Sequence, residues 1–472
     1  MSNINSGKRA QWTNSIGFVL AAAGSAVGLG NIWRFPGKAY EGGGAAFLII
    51  YIAIVAVIGS TVMLAELVMG RNTQKNTIGA YRQLRPKWAG WGVLSIVTSF
   101  IILCYYIQVG GWVIYYIFGY ILKPAEIFAN PTNYFLNMLG SDTVNGTVFF
   151  PWLGAVLCPL LFIGIAVYII IRGVNKGIEN FNKFGMPALF IILIILMIRS
   201  VTLPGAGEGI KFMLTPNFST ITPDIVLLAL GQAFFSLSLG MAIMITYGSY
   251  VKKEENLAKS TAIICGMDTL VSFLAVFMIV PAVFATIGSE NVGKGGSFAF
   301  IALAGVFEKM PAGVLFGILF YLLLFFSAIT SAVSLLEGSV VAMTEQLKID
   351  RKIAAIGLAL IMFLIGIFYT ISQVSVDMTG VWADYENGIF FPSFGDFMEY
   401  ITDRLLIPLN ALTVCILVGW VWDTKNGINE IRQDGKFRFK LAGIWSVSLK
   451  YIAIAAILII LVFGLVFGKS LS

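Results

Sequence analysis

Apolar stretches long enough to cross a lipid bilayer recur along nearly the whole chain, and only short polar joints separate most of them. A transmembrane helix needs about 20 predominantly apolar residues. Division at charged and at Gly- or Pro-rich joints predicts eleven helices, near 13–38, 44–70, 88–122, 151–171, 177–200, 223–250, 258–288, 312–346, 351–372, 397–422 and 446–468. Of the 472 residues 58% are hydrophobic and 12% charged, which predicts an all-α polytopic membrane protein and excludes a soluble enzyme.

The distribution of positive charge predicts the orientation of the chain. With the N-terminus in the cytoplasm, most of the 31 Lys and Arg residues fall in cytoplasmic joints, as the positive-inside rule requires. The C-terminus is then external, and a bacterial inner membrane fits the short internal loops. The net charge of +7 follows from this topology and from attraction to anionic membrane lipid, so no nucleic-acid partner is expected. The sequence predicts no particular oligomeric state.

The chain contains no histidine, which removes imidazole bases and the usual histidine metal sites. Its four cysteines lie inside apolar runs without CxxC spacing, and they are expected to be core residues: Cys104, Cys158, Cys265 and Cys415. No enzyme activity and no resident cofactor are therefore predicted.

Two of the predicted helices carry glycines and polar residues at mid-membrane, at 24–31 and at 231–240. Unwound backbone at that depth is tolerated only where it is packed in protein or lines a wet cavity. Close helix packing through small residues is the alternative for the first segment. An interrupted helix at the start of each half predicts two inverted repeats, 12–200 and 223–422, with a further helix at 446–468 in a single domain, 1–472.

Hydroxyl and carboxyl groups inside the predicted helices are candidate ion-binding groups. Ser327, Thr330 and Ser331 share one helix face, where they can bind an ion or bond back to their own helix. Buried carboxylates are expensive in a membrane and are functional candidates by default: Glu66, Asp268 and Glu337. For Glu66 a hydrogen bond that supports unwound backbone is equally plausible, and for Asp268 the alternative is a protonated structural residue.

Several motifs resemble the neurotransmitter:sodium symporter family over about residues 8–425. They are Trp12, the segment 24–31 with Arg34-Phe35-Pro36, Glu41 to Gly44, Glu66 with Met69-Gly70-Arg71, and the segment 231–240. The resemblance implies a LeuT-like fold with 5+5 inverted repeats and with helices 1 and 6 broken around a central site. Many members of the family have twelve helices, but the twelfth lies outside the ten-helix core.

The resemblance also implies the residues of the site. The substrate would bind to Ser25, Ala26, Leu29, Gly30, Ile102, Tyr106, Phe235, Ser236, Ser238, Met241, Ser331 and Leu335. Its carboxylate would meet the helix end at Leu29 and Gly30 and the Tyr106 hydroxyl. One sodium ion would bind at Ala26, Asn31, Ser236 and Asp268, and a second at Gly24, Val27, Ser327, Thr330 and Ser331. This pocket holds no charge, which predicts a neutral amino acid, large or aromatic, with tyrosine first, as in the tyrosine-transporting bacterial branch.

Asp268 departs from the family pattern. One alignment places it on the sodium-binding asparagine, one turn before Ser272 at the chloride position, and a one-turn slip places it in the chloride position itself. Under either alignment its carboxylate supplies a negative charge, so chloride is not expected to be required.

Gates are implied in the same way. Outside the site, Arg34 is expected to pair with Glu399, or else with Asp396, and Phe235 would be an aromatic lid. Inside, Arg9 and Trp12 are expected to close against Glu345, supported by Tyr247. In the fifth helix the segment between Gly177 and Pro187 is either a loosened path to the second sodium or a simple helix start with a proline kink.

The function expected from these features is sodium-coupled import of an amino acid by alternating access. A proton-coupled symporter that uses Asp268 or Glu337, and a membrane sensor that binds an amino acid without transporting it, are the alternatives.

Overall fold

The structure is a computed structural model, and it describes residues 9–142, 145, 147–293, 298–373 and 394–466. Almost all of these residues are helical, and eleven membrane-spanning segments follow one another along the chain. The first five, here spans 1 to 5, are Ser15–Ala26 with Gly30–Glu41, Ala45–Thr73, Pro86–Leu122, Trp152–Ile171 and Val174–Val201. The last six, spans 6 to 11, are Pro223–Ser236 with Ile243–Gly248, Leu257–Thr286, Gly313–Gln346, Arg351–Ser372, Phe394–Val421 and Ala442–Phe463.

The eleven predicted helices match these spans. Nine of the described helices are long and apolar enough to cross a membrane alone, and the bent pair of span 1 makes a tenth. The two helices of span 6 are each too short to cross alone. Large apolar side chains lie exposed on the outside of the helix bundle, for example Leu122 and Ile198 at 72% and 52% exposure, as expected for a surface that faces lipid.

Short elements connect the spans. Helices form at Thr77–Leu84, Pro124–Ala129, Pro131–Leu139, Ala206–Leu214, Ala302–Glu308 and Thr424–Arg432. Single 3-10 turns occupy Pro86–Trp88, Phe218–Thr220 and Ser289–Asn291. Ser141–Asp142 pairs antiparallel with Thr147–Val148 in a two-stranded ribbon, in which Ser141 lies opposite Val148.

Span 3 runs through the middle of the bundle, where it packs against spans 8 and 9. Span 5 packs against spans 7 and 8, and span 11 packs against span 10 at the edge of the bundle. The small residues of span 3 allow close approach: a Cβ on Gly111 would lie 2.3 Å from Cγ of Pro159 in span 4. The interrupted spans lie inside this bundle. Span 1 packs against spans 5, 7 and 8, and span 6 packs against spans 2 and 8.

Span 1 is interrupted where the sequence predicted it. The first helix ends at Ala26, the second begins at Gly30, and their axes differ by 53°. Span 6 is interrupted at 237–242, a few residues later than predicted, because Gly231 and Gln232 still belong to the first helix. The backbone there turns through left-handed conformations, with φ of 54° at Ser238, 71° at Gly240 and 61° at Ala242.

Span 5 contains no interruption at the predicted loosened segment. Gly177 lies in a π-helical turn, Val174–Glu179, and the helix then runs as Asn180–Val201 through Pro187. The structure thus matches the alternative of a helix start followed by a proline inside the helix.

Candidate functional site

A central cavity lies between the interruptions of spans 1 and 6, and spans 3 and 8 close its sides. The atom-free space there, counted together with its open mouth, is about 380 Å³. Every residue predicted to bind substrate lines it: Ser25, Ala26, Leu29, Gly30, Ile102, Tyr106, Phe235, Ser236, Ser238, Met241, Ser331 and Leu335. Gly28, Asn31 and Ile243 complete the lining.

The lining combines apolar side chains with several hydroxyls and is uncharged, since it includes no Asp, Glu, Lys or Arg. Two of its hydroxyls, on Ser25 and Tyr106, are buried without a hydrogen-bond partner in the described part of the chain. A buried polar group without a partner costs about 1 to 3 kcal/mol, so native proteins rarely leave one unpaired. These two hydroxyls are therefore suited to bonding a ligand in the cavity.

The interruption of span 1 presents two kinds of backbone group. The second helix begins at Gly30, so its first N–H groups have no partner within the helix, and they carry the positive end of the helix dipole. The first helix ends at Ala26, and the freed carbonyl of Ser25 accepts hydrogen bonds from Ser238 at 3.0 Å and from Ser331 at 3.1 Å. Spans 6 and 8 are thus tied to span 1 at the cavity.

Asp268 of span 7 is fully buried, and its carboxylate is enclosed by side chains of three other spans. Its Oδ1 accepts from Asn31 Nδ2 at 2.7 Å and from Ser236 Oγ at 2.8 Å, and its Oδ2 accepts from the Tyr51 hydroxyl at 3.4 Å. The Asn31 amide also donates to Ser272 Oγ at 2.9 Å. The structure therefore brings together three residues predicted for the first sodium, namely Asn31, Ser236 and Asp268.

A second polar cluster joins spans 1 and 8. Ser327 donates to the Val27 carbonyl at 3.2 Å, and Ser331 and Thr330 both donate to the Ser327 carbonyl. The hydroxyls thus back-bond to their own helix, as the alternative interpretation held, and they also contact the freed carbonyls of span 1.

Gly24, the remaining residue of the predicted second sodium site, lies in the last turn before the interruption. A Cβ there would lie 2.1 Å from the Asn182 side-chain oxygen of span 5. That oxygen is buried and has no described partner.

Glu66 supports the unwound part of span 6. Its Oε1 accepts from the backbone N–H of Gly240 at 2.8 Å, and the Gly240 carbonyl accepts from Asn410 of span 10 at 2.9 Å. A Cβ on Gly240 would lie 2.4 Å from the Ile407 carbonyl oxygen, so only glycine fits at this left-handed position. This contact agrees with the supporting role weighed for Glu66.

Arg34 and Phe235 cover one side of the cavity, which is the outer side in the orientation predicted from the sequence. The guanidinium lies 5.0 Å from the centre of the Phe235 ring and donates to Asp403 at 3.1 Å. The sequence predicted that Arg34 pairs with Glu399, or else with Asp396, and this prediction is wrong. Arg34 pairs with Asp403 instead, because Asp403, one turn after Glu399, lies at the same depth as the guanidinium. Glu399 instead accepts a hydrogen bond from the Tyr369 hydroxyl at 2.8 Å.

Residues 9–12 cover the opposite side, which is the inner side in the predicted orientation. Arg9 pairs with Glu345, and its Nε donates to Ser249 at 3.0 Å. Trp12 is buried, donates from its ring to the Tyr247 carbonyl at 3.1 Å, and packs edge-on against the Tyr247 ring. All four residues predicted for the inner gate therefore meet at one place.

Glu337 lies apart from the cavity. It forms an ion pair with Arg351 at 2.5 Å and accepts from the Tyr250 hydroxyl at 2.7 Å. Both partners are near the cytoplasmic ends of their spans in the predicted orientation, so Glu337 is a satisfied contact between spans 6, 8 and 9.

The sequence did not reveal Tyr51, Asn182, Ser249 or Asp403 as members of these clusters. Asp403 could have been found, because it follows Glu399 by four residues and shares its helix face. Tyr51, Asn182 and Ser249 carry no local signal, because they reach their partners only through the packing of distant spans.

Interrupted helices around a buried, uncharged cavity, inside a bundle of membrane spans, define the class of membrane proteins that bind small solutes at mid-membrane. Comparison with known proteins narrows this class. The model of the sodium:neurotransmitter symporter family matches residues 9–126 and 147–472. The chain belongs to this family of sodium-coupled transporters, and it is not an enzyme.

Individual proteins that are similar to this chain support the same family assignment. An uncharacterised sodium-dependent transporter of Bacillus subtilis, YhdH, is 34% identical over 455 residues, which cover 96% of this chain and 97% of the relative. One from Haemophilus influenzae is 36% identical over 431 residues, covering 88% and 90%. The crystal structure of MhsT in complex with L-phenylalanine matches with a TM-score of 0.84 and 36% identity, over 97% of this chain and 100% of that one. The predicted LeuT-like fold is thereby confirmed.

Proposed function

We propose that this protein is a sodium-coupled symporter that imports a neutral, large or aromatic amino acid, tyrosine first, and that it does not require chloride. The observation that carries the proposal is the uncharged central cavity. It places the N-terminal end of the helix that begins at Gly30 beside the unpartnered hydroxyls of Ser25 and Tyr106. The Asp268 carboxylate lies just behind this cavity, bonded to Asn31.

The backbone of an amino acid suits the two ends of the span 1 interruption. Its carboxylate would bind the N–H groups near Gly30 and the Tyr106 hydroxyl, because anions are favoured at helix N-termini. Its ammonium group would bind carbonyl oxygens at the helix ends, near Ala26 and Phe235. The Tyr106 hydroxyl, at least, is a group that the described part of the protein leaves unpaired.

The remainder of the cavity suits a large apolar side chain. Ile102, Met241 and Leu335 give it apolar walls, and methionine adapts its shape to different ligands. The similarity to MhsT, whose crystal structure contains L-phenylalanine, supports an aromatic amino acid. The unpartnered hydroxyl of Ser25 favours tyrosine over phenylalanine, because a phenol can bond to it.

Sodium is the co-transported cargo. One ion would lie between the substrate carboxylate and Asn31, so that an amino acid without sodium would leave a buried anion without a counterion, at a cost of several kcal/mol. The oxygens around Val27, Ser327 and Ser331 are suited to a second ion. Asp268 would supply the negative charge that chloride supplies elsewhere in the family, with its carboxylate held by Asn31, Ser236 and Tyr51.

Alternating access would then require opening of one side at a time. Outside, the Arg34–Asp403 pair and Phe235 would separate to admit substrate. Inside, Arg9 and Trp12 would move away from span 6 to release it. In the proposed orientation the N-terminus is cytoplasmic, and the membrane is a bacterial inner membrane.

The test is uptake of labelled tyrosine, tryptophan, phenylalanine, leucine and alanine into proteoliposomes. Three driving forces are compared: an inward sodium gradient, a potassium medium without sodium, and a proton gradient alone. Each sodium experiment is repeated with gluconate in place of chloride. We expect accumulation with sodium only, equal in both anions, and strongest competition by aromatic amino acids.

Other outcomes contradict separate parts of the proposal. Accumulation driven by protons alone would make the protein a proton-coupled symporter. Sodium-dependent binding without accumulation would make it a sensor. Loss of uptake in gluconate would overturn the role given to Asp268, and competition by tyrosine no better than by alanine would overturn the aromatic specificity.

A further inference from the structure

A second cavity lies away from the central one, between spans 5, 7 and 8 and the short helix Ala302–Glu308. The atom-free space there, counted together with the open region at its mouth, is about 330 Å³. Its lining is almost entirely apolar and includes Met278, Ala282, Phe316 and Phe320, while Arg199 and Ser200 are its two polar members. None of these residues lines the central cavity, so the proposed transport function does not use this space.

Arg199 and Phe316 are the only lining residues that are partly exposed, and they mark the opening of this cavity. The Arg199 guanidinium lies over the Phe316 ring, 5.7 Å from its centre. Beside them Ile198 and Leu315 are exposed by 52% and 54% on the outer wall of the bundle. The cavity therefore opens toward the surface that faces lipid, near the end of span 5.

Two polar groups at this opening lack the partners that buried or membrane-embedded groups usually have. Arg199 forms no ion pair with any carboxylate of the described residues. The hydroxyl of Ser200 is buried, lines the cavity and has no described hydrogen-bond partner. A serine inside a helix commonly bonds to the carbonyl four residues earlier, and Ser200 does not.

We propose that this cavity binds an anionic membrane phospholipid, with one acyl chain in the apolar interior and the phosphate at Arg199 and Ser200. An acyl chain matches walls of Met, Phe, Leu and Val, because it packs against them by van der Waals contact and leaves no polar group unpaired. A phosphate matches a guanidinium and a hydroxyl donor, the pair that such oxygens prefer.

The position within the membrane supports a lipid rather than a soluble anion. Arg199 lies two residues before the end of span 5 at Val201, where a long basic side chain reaches the level of the headgroups. A free phosphate would fill the polar opening and leave the apolar interior empty. The lipid satisfies both parts of the site at once.

The test uses the full-length protein reconstituted in bilayers with two photoactivatable probes. One is phosphatidylglycerol with a diazirine in its acyl chain, and the other is phosphatidylcholine with the same chains. Labelled peptides are mapped after proteolysis. We expect phosphatidylglycerol to label the segments 278–282 and 303–320, and phosphatidylcholine to label them several-fold less.

Two substitutions test the phosphate-binding opening and the apolar interior separately. Arg199→Gln should reduce labelling by phosphatidylglycerol about five-fold, since one basic residue near the surface contributes about that factor. Arg172→Gln is the matched control, because Arg172 also lies over a ring, that of Tyr168 at 4.8 Å, but away from this cavity. Ala282→Leu should fill the interior and reduce labelling by both probes.

The proposal is overturned if Arg199→Gln is labelled as strongly as the unchanged protein, or if the label maps outside the lining segments. Equal labelling by the two probes would overturn the anionic headgroup. These readouts measure binding alone, so they do not depend on whether the protein transports an amino acid.

Discussion

The substitution Tyr106→Phe removes a single hydroxyl from the central cavity. We expect it to weaken substrate binding while leaving the stability of the fold unchanged. The Tyr106 ring is 7% exposed and lines the cavity, and its hydroxyl has no described protein partner. The substitution keeps the packed ring and breaks no hydrogen bond within the protein. The free energy of unfolding should therefore change by less than about 0.5 kcal/mol.

The effect on substrate should be much larger. If the hydroxyl donates to the substrate carboxylate, its loss removes a hydrogen bond to a charged group, worth about 1.5 to 3 kcal/mol. The dissociation constant should then rise by about 10- to 150-fold. The assay is equilibrium binding of a labelled aromatic amino acid at saturating sodium, in parallel with thermal unfolding of the same preparation.

Tyr116→Phe is the matched control. Tyr116 also lies in span 3, is fully buried, and has a hydroxyl without a described partner, but it packs against Phe300 and Tyr321 outside the cavity. The Tyr116→Phe variant should bind substrate with unchanged affinity. The reasoning is refuted if the two variants lose affinity equally, or if Tyr106→Phe lowers the unfolding temperature while affinity is retained.

Three further substitutions test other parts of the structure. Asp268→Asn removes a negative charge beside the proposed first sodium. A unit charge a few ångströms away is worth about 3 kcal/mol at an effective dielectric constant near 20, so sodium titrations of binding should show about a hundredfold weaker sodium affinity without chloride and partial recovery with it. Unchanged sodium affinity would contradict that role. Gly70→Ala places a Cβ 2.0 Å from a backbone oxygen of span 6 and should destabilise the protein by about 1 to 3 kcal/mol in thermal unfolding, whereas Gly164→Ala, which meets open space, should not. Arg34→Gln and Asp403→Asn should each speed substrate dissociation a few-fold, and the double variant should add little if the two side chains act as one pair.

The features that the sequence predicted well are those with a local physical cause. Helix spans follow from uninterrupted apolar runs, and the break near Gly24 to Asn31 follows from the weakness of glycine-rich helix. The hydroxyls at Ser327, Thr330 and Ser331 share a face because of the helical repeat. The identity of the cavity residues came from the resemblance to the family rather than from these local rules.

Features that depend on the packing of distant spans were not predictable in this way. Asp403, rather than Glu399, meets Arg34 because the depth of span 10 relative to span 1 decides which turn is level with the guanidinium. The later start of the break in span 6 depends on the support of Gly240 by Glu66 and Asn410, which belong to two other spans. The hydrophobic pattern of the sequence gives neither the relative depth of spans 1 and 10 nor the contacts that support Gly240.

The two sides of the central cavity are closed by unequal chemistry, and this inequality bears on the direction of transport. Among the described residues, the inner side combines the Arg9–Glu345 pair with a Trp12 ring that is 2% exposed and is packed between Tyr247 and Tyr250. Burial of such a ring contributes several kcal/mol. On the outer side the partly exposed ion pair contributes about 1 kcal/mol, and the Phe235 ring beside it is less deeply buried than Trp12. The outer side should therefore open at lower cost in the absence of substrate, and an importer needs that order, because its site must face the external solution before it binds.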